Sequence, residues 1–263
     1  MARISVMFSG SSGNCTYIKY GDATVLIDAG VSAKRIYEAL NKNGVDIATV
    51  KGVFVTHEHI DHISGLRVFC DRYGVPVYAN EPTLSAIEKA GCMPKKADAF
   101  PVEPGHTVEF SGMTVTPFLT SHDAAQSVGY KVKCHDGRTA TYVTDTGTFD
   151  DGIFDAVKGS DTVVLEANHD IKMLQNSTYP YNTIMRILSD NGHLSNKAAA
   201  AAAVKLAQSG TTRIILAHLS LENNLPSIAL SEVENALSAA GKINGKDFLL
   251  FAASAEDGRE IVF

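Results

Sequence analysis

The sequence predicts an α/β fold in which two β-sheets pack face to face with helices on their outer sides, a four-layer sandwich. Three observations carry this. The first 60 residues read as β-branched segments punctuated by glycine. The stretch from His106 to Thr144 is again strand-rich, and from Asp161 onward strands alternate with helices. In chain order, ISVMFS from Ile4, NCTYIKY from Asn14, ATVLID from Ala23 and GVFVT from Gly52 read as strands, with a helix at roughly Ser32 to Lys42 among them. A second helix starts near Ile63 and a third near Pro82, where proline suits the first turn because the N–H it lacks has no helical partner there. DTVVLEA from Asp161 and RIILAH from Arg213 are strands, Ser195 to Gln208 is an alanine-rich helix, and Ser227 to Ala239 is amphipathic. The run Ala198 to Ala203 combines strong helix propensity with small side chains, which lets a helix lie close on a sheet. With no internal repeat, proline-rich linker or long charge run, residues 1–263 read as a single domain.

Composition narrows the class. Hydrophobic residues make up 45% and charged residues 20%, typical of a folded globular chain rather than a disordered or fibrous one. The formal charge of −6 means that any polyanionic partner must be met by a local basic patch, not by a global positive field. Lys95, Lys96, Lys172, Arg186, Lys197, Lys205 and Arg213 are the candidates for such a patch. Cys15, Cys70, Cys92 and Cys134 form no CxxC pair, and read as reduced thiols. The few apolar N-terminal residues before the polar Gly/Ser turn are too short a stretch for a signal-peptide core, and no apolar run approaches the roughly 20 residues of a membrane helix. A cytoplasmic protein without membrane contact is expected.

The chemistry is concentrated in THEHIDHISG, which places His57, His59, Asp61 and His62 together directly after a strand. Imidazole and carboxylate together suit borderline divalent ions such as zinc, manganese or iron, and a loop at a strand end can aim alternate side chains at two neighbouring ions. HEHIDH resembles the HxHxDH signature of the metallo-β-lactamase superfamily, an αββα sandwich with a binuclear metal site at one edge. Asp28 in VLIDAG, His122 in FLTSHD, Asp145 in YVTDTG and His218 in IILAHLS follow that family's order. The resemblance implies that His57, His59 and His122 hold one ion and that Asp61, His62 and His218 hold the other. Asp145 would bridge them, and Asp28 would support a ligand imidazole. An Asp stands at the bridging position where secreted zinc β-lactamases commonly have Cys, which disfavours antibiotic hydrolysis.

LEANHD and GHLSN resemble the ribonuclease Z branch, in which a Glu and a His help protonate the leaving oxygen; Glu166 and His193 are the corresponding residues. The opening SGSSGN, LEANHD, GHLSN and HLSLENNLP together resemble the small bacterial YycJ/WalJ branch more closely. That resemblance implies a 5′-to-3′ exonuclease on DNA, with RNA a possible substrate, attacking phosphorus with a hydroxide held between two ions. A glycine-rich basic arm and a large insertion between Asp145 and His218 are both absent from the sequence, so pre-tRNA processing and a β-CASP clamp do not fit. Ser9 to Asn14, with Ser11 and Asn14 as site-lining candidates, reads either as a tight hairpin or as backbone that meets a phosphate. Asn168 and His169 are further candidates for substrate contact. The alternative is a small-molecule hydrolase, a thioesterase, lactonase or cyclic phosphodiesterase, using the same metals; a silent metal-binding regulator is the third reading. Oligomeric state is not encoded in any of these patterns.

Overall fold

The computed structural model describes residues 1–110, 112–256, 258 and 260–263. Along the chain, β1 (Ala2–Phe8), β2 (Cys15–Tyr20), β3 (Ala23–Ile27), β4 (Val50–Phe54), β5 (Val77–Ala79) and β6 (Ala99–Pro101) build one sheet. The second sheet holds β7 (Val108–Phe110), β8 (Met113–Leu119), β9 (Val128–Cys134), β10 (Thr139–Val143), β11 (Thr162–Glu166), β12 (Arg213–Ala217) and β13 (Leu249–Ala252). A final strand, β14 (Ile261–Val262), returns to pair with β1. Each sheet changes character part-way. β1 to β3 are antiparallel and β3 to β6 parallel, while β7 to β10 are antiparallel and β10 to β13 parallel.

Helices α1 (Ala33–Lys42), α2 (Ile60–Ile63), α3 (Leu66–Tyr73) and α4 (Glu81–Lys89) belong to the first half; α5 (Asp151–Val157), α6 (Ile171–Gln175), α7 (Tyr181–Ile187), α8 (Asn196–Gln208) and α9 (Pro226–Ala239) belong to the second. Three apolar layers separate the four structural ones. Ile36, Leu40, Leu66 and Phe69 pack on Leu26 and Val53 outside the first sheet. Ile18, Val25 and Phe54 meet Tyr130, Val164 and Ile215 between the sheets. Val163, Leu165 and Leu216 meet Ala199, Ala203 and Val233 outside the second. The split within VVL of β11, where Val163 and Leu165 face the helices and Val164 faces the other sheet, is the two-residue strand period with both faces buried. This is the αββα sandwich the sequence predicts.

Predicted starts are met at Ser32, whose hydroxyl accepts from Arg35 N, at Asn80 before Pro82, and at Ser195, which caps α8 by accepting from Ala198 N. The helix expected near Ile63 is two pieces, α2 and α3, because the chain at Gly65 presses against the Val31 carbonyl, where a Cβ would lie only 1.9 Å from that oxygen. Strands β5, β6, β13 and β14 and helices α5 to α7 were not predicted; all are short, with no periodic run long enough to read. Among the described residues no helix is long and apolar enough to cross a membrane, and all four cysteines are free.

Candidate metal centre

The parallel strands of both sheets end at the same rim, and the predicted site residues sit there. Asp28 follows β3, His57 follows β4, Asp145 follows β10 and His218 follows β12, while Glu166 closes β11. Asp28, Asp145 and His218 have φ of 63°, 55° and 57°, the only positive values among the described residues other than glycine. An L-residue held there costs on the order of 1–3 kcal/mol and persists only where its surroundings insist on it. For His218 the backbone N–H donates to Ser9 Oγ at 2.7 Å and the carbonyl accepts from Asn168 Nδ2 at 2.9 Å. For Asp28 the backbone N–H donates to the Phe54 carbonyl at 2.9 Å.

Five histidines have one ring nitrogen engaged in a way that settles which nitrogen is free. His62 Nδ1 lies 2.8 Å from Asp28 Oδ2, His122 Nδ1 lies 3.0 Å from the Gly192 carbonyl, and His193 and His218 Nδ1 lie 2.8 and 3.0 Å from Glu166 Oε1. Each partner can only accept, so each Nδ1 carries the proton and donates it. For His57 the partner is Thr56 Oγ1 at 3.0 Å, and that hydroxyl is 2.9 Å from Asp28 Oδ2. Having one proton, which it donates to the buried carboxylate, Thr56 can only accept from His57 Nδ1. In all five rings Nε2 is thereby left with its lone pair or for a second proton. His57 Nε2 and His218 Nε2 are buried with no hydrogen-bond partner among the described residues, the kind of orphaned donor that a cation satisfies.

These nitrogens converge with carboxylates. The donor atoms of His57, His59 and His122 lie within 4.8 Å of one another, and so do those of Asp61, His62 and His218. Asp145 stands between the two groups: its Oδ2 is 3.5 Å from His62 Nε2, and its Oδ1 is 3.8 Å from His122 Nε2 and 3.5 Å from His218 Nδ1. Nitrogen and carboxylate donors in this proportion fit divalent transition ions. Asn14 Nδ2 lies 3.0 Å from His62 Nε2 and 3.3 Å from Asp61 Oδ2, so a cation on His62 takes over from this amide.

The charges are set by burial and by one another. Burial, reinforced by neighbouring rings, pushes His57 well below the ordinary imidazole value, and burial lowers His122, so both are neutral and ready to ligate. His218 is the opposite case: burial alone would lower it, but Asp145, Asp61 and Glu166 outweigh that and raise it to about 10. Burial would likewise raise Asp61, Asp145 and Glu166, yet the surrounding histidines hold all three below the usual carboxylate range.

Glu166 is fully buried and spent: Oε1 accepts from His193 and His218, and Oε2 accepts from the backbone N–H of Thr146 and Leu194 at 2.9 and 3.2 Å. It acts through the two histidines it orients. The cleft above the cluster has a volume of about 320 Å³ and is lined by Ser11, His59, Asp61, His122, Asp145, Asn168, His193 and His218, together with Tyr179, Thr183 and Arg186. His169 is not among the lining residues; it is buried, and burial lowers it to about 4. Asn14 is buried as well. It ties the Ser9–Asn14 turn to the metal-site loop through its backbone N–H to the Asp61 carbonyl at 2.8 Å, so the turn supports the site rather than only closing a hairpin. A larger apolar groove of about 680 Å³ beside Phe118, Leu119 and Ile153 contains no histidine and one carboxylate, Asp150, and cannot host this chemistry.

The chain matches the beta-lactamase superfamily domain over residues 23–219. It belongs to the metallo-β-lactamase superfamily. Within that superfamily it is similar to exodeoxyribonuclease YycJ of Bacillus anthracis, at 39% identity over 93% of this chain and 92% of that one. It is also similar to exodeoxyribonuclease WalJ of Streptococcus pneumoniae, at 35% over 97% and 95%. Among solved structures, the metallo-β-lactamase fold protein YhfI from Bacillus subtilis superposes with a TM-score of 0.75 at 17% identity, covering 99% of this chain and 98% of its own.

Three residues of the site have no individual signal in the sequence. Thr56, which links Asp28 to His57, adjoins the histidine cluster but reads in the sequence only as the end of a strand. Ser9, which holds His218, belongs to the Ser9–Asn14 turn that the sequence offers as a site element, but nothing in that turn singles it out. Asp123 pairs with Arg186, and its Oδ1 lies 3.4 Å from His122 Nε2. Of the seven basic residues that the sequence offers for a phosphate patch, only Arg186 is among the described residues lining the cleft.

Proposed function

We propose that this protein is a metal-dependent exodeoxyribonuclease that removes nucleotides from a DNA end in the 5′-to-3′ direction. The observation that carries the proposal is the convergence of histidine Nε2 atoms and acidic oxygens on one cleft, with the Glu166–His193 pair beside it. The similarity to two exodeoxyribonucleases along nearly the whole chain supports the choice of substrate. Two divalent ions fit the donors, zinc or manganese first and iron next: one on His57, His59 and His122, the other on Asp61, His62 and His218, with Asp145 shared. Bound there, such ions supply Lewis acidity, lowering the pKa of water toward about 7 and offsetting charge that develops on phosphate.

The chain's own residues do the rest. Asp61, ionised and at the cleft surface, accepts a hydrogen bond from the attacking water and orients it toward phosphorus, and the proton that water loses passes to solvent. As the new P–O bond forms and the bond to the leaving 3′ oxygen breaks, His193 donates a proton from Nε2 to that oxygen. Glu166, accepting from His193 Nδ1, keeps the ring in the required tautomer and orientation. Asp28 and Thr56 hold His62 and His57 so that their Nε2 atoms stay aimed inward.

The test is cleavage of end-labelled, 5′-phosphorylated duplex DNA, with an RNA counterpart alongside, by metal-stripped protein resupplied with Mn²⁺, Zn²⁺ or Mg²⁺ and compared with His59→Ala. Stepwise loss from the 5′ end, absent in the variant, is expected. Turnover of a thioester or lactone with no cleavage of DNA or RNA would replace the proposal with a small-molecule hydrolase.

A further inference from the structure

Arg186 is the one lysine or arginine among the described residues that line the cleft. In a chain of formal charge −6, it is therefore the side chain placed to meet a polyanion there. Its guanidinium is parked on Asp123 through a two-point fork, Nε to Oδ2 at 2.5 Å and Nη2 to Oδ1 at 2.9 Å. That planar pattern is the one in which arginine also takes a phosphate. The pair is half-exposed, with the arginine side chain 50% accessible, and ion pairs so exposed are weak enough for an incoming anion to displace.

The helix that carries Arg186 is fixed to the site. Thr183, Arg186 and Ile187 share one face of α7 and line the cleft, as does Tyr179 just before the helix. The α7 end is locked by His193 N, which donates to the Ile187 carbonyl at 3.0 Å. Gly192 allows the close approach, since a Cβ there would sit 2.3 Å from the Arg186 carbonyl, and the Gly192 carbonyl accepts from His122 Nδ1. Arg186 is thus keyed to both His122 and His193, while its guanidinium stays half-exposed on Asp123.

We propose that Arg186 grips the nucleotide-backbone phosphate next to the one being cut, and that Asp123 holds the guanidinium in readiness until that phosphate displaces it. The inference rests on the nuclease reading. It is tested with wild type, Arg186→Ala and Arg186→Lys on duplex DNA and on bis(p-nitrophenyl) phosphate, a diester with no neighbouring phosphate, with metal content measured on each protein. For Arg186→Ala, KM on DNA is expected to rise about tenfold or more with kcat nearly unchanged, and the log–log salt dependence to become shallower by about 1. Hydrolysis of the small diester and metal content should match wild type. Arg186→Lys should regain the salt dependence but only part of the affinity, because an ammonium lacks the fork. Unchanged KM and salt dependence in Arg186→Ala would overturn the inference. So would an equal loss on both substrates, which would place the arginine on the scissile phosphate, or loss of metal, which would make its role structural. Wild type that cleaves neither DNA nor RNA would overturn the nuclease reading, and this inference with it, before any variant is compared.

Discussion

Thr56 shows how much of a metal-site geometry rests on one hydroxyl. It receives the proton of His57 Nδ1 only because it gives its own to Asp28, and Asp28 in turn receives His62 Nδ1. Thr56→Val keeps the shape and removes the relay, so metal affinity is expected to fall about 10–100-fold, read by competition with a chelating indicator. His193→Ala and Glu166→Gln should separate by a different readout. The first is expected to lower kcat by about 10²–10⁴ with metal content intact; the second should lower both, because Glu166 also orients His218. Protonation adds a third expectation. With His218 raised to about 10, the metal-free site carries a proton at neutral pH that an ion has to displace. Metal affinity should therefore rise with pH up to that value and weaken as pH falls. Titration calorimetry in two buffers of different ionisation enthalpy should show proton release on loading, and identical heats after buffer correction to zero protons would contradict it.

At the scale of elements, the site is made by loops pressed together more tightly than side chains allow. A Cβ on Gly30 would lie 1.7 Å from the Asp61 carbonyl, and Gly30 N donates to the Asn14 carbonyl at 2.8 Å, so the turn after β1, the loop after β3 and the metal-site loop form one joint. Gly30→Ala is expected to destabilise the fold by at least about 1–3 kcal/mol, seen as a lowered unfolding midpoint, and to weaken metal binding through the displaced Asp61. What the sequence disclosed follows the same division. The histidine cluster was legible because six consecutive positions carry four donors, and α1, α4, α8 and α9 because each has a readable start. Asp28, Asp145 and His218 are single residues after single strands, legible only through family resemblance. Arg186 is one of seven basic candidates in the sequence, but it rides on a seven-residue helix, and spacing alone does not single it out as the one that lines the cleft.

At the scale of the whole molecule, the two sheets bring the ends of their parallel strands to one rim, and that convergence assembles a site from residues spread between Asp28 and His218. The layered fold was predictable from hydrophobic patterning, whereas the coincidence of the two rims was not, since it depends on how one sheet faces the other. Because the donors come from both sheets, ions bound there should stabilise the whole fold, and chelation is expected to lower the thermal midpoint with the logarithm of the free metal concentration. The central claim is that the clustered donors bind ions that make this cleft cut nucleic acid. The most direct measurement is a titration of metal-stripped protein with Mn²⁺ in which bound metal and release of label from 5′-labelled duplex DNA are followed together. No cleavage by the stripped protein, and activity that appears as two equivalents bind, is the result expected. Cleavage without metal, or a site filled with two ions that leaves both DNA and RNA intact, would contradict the account.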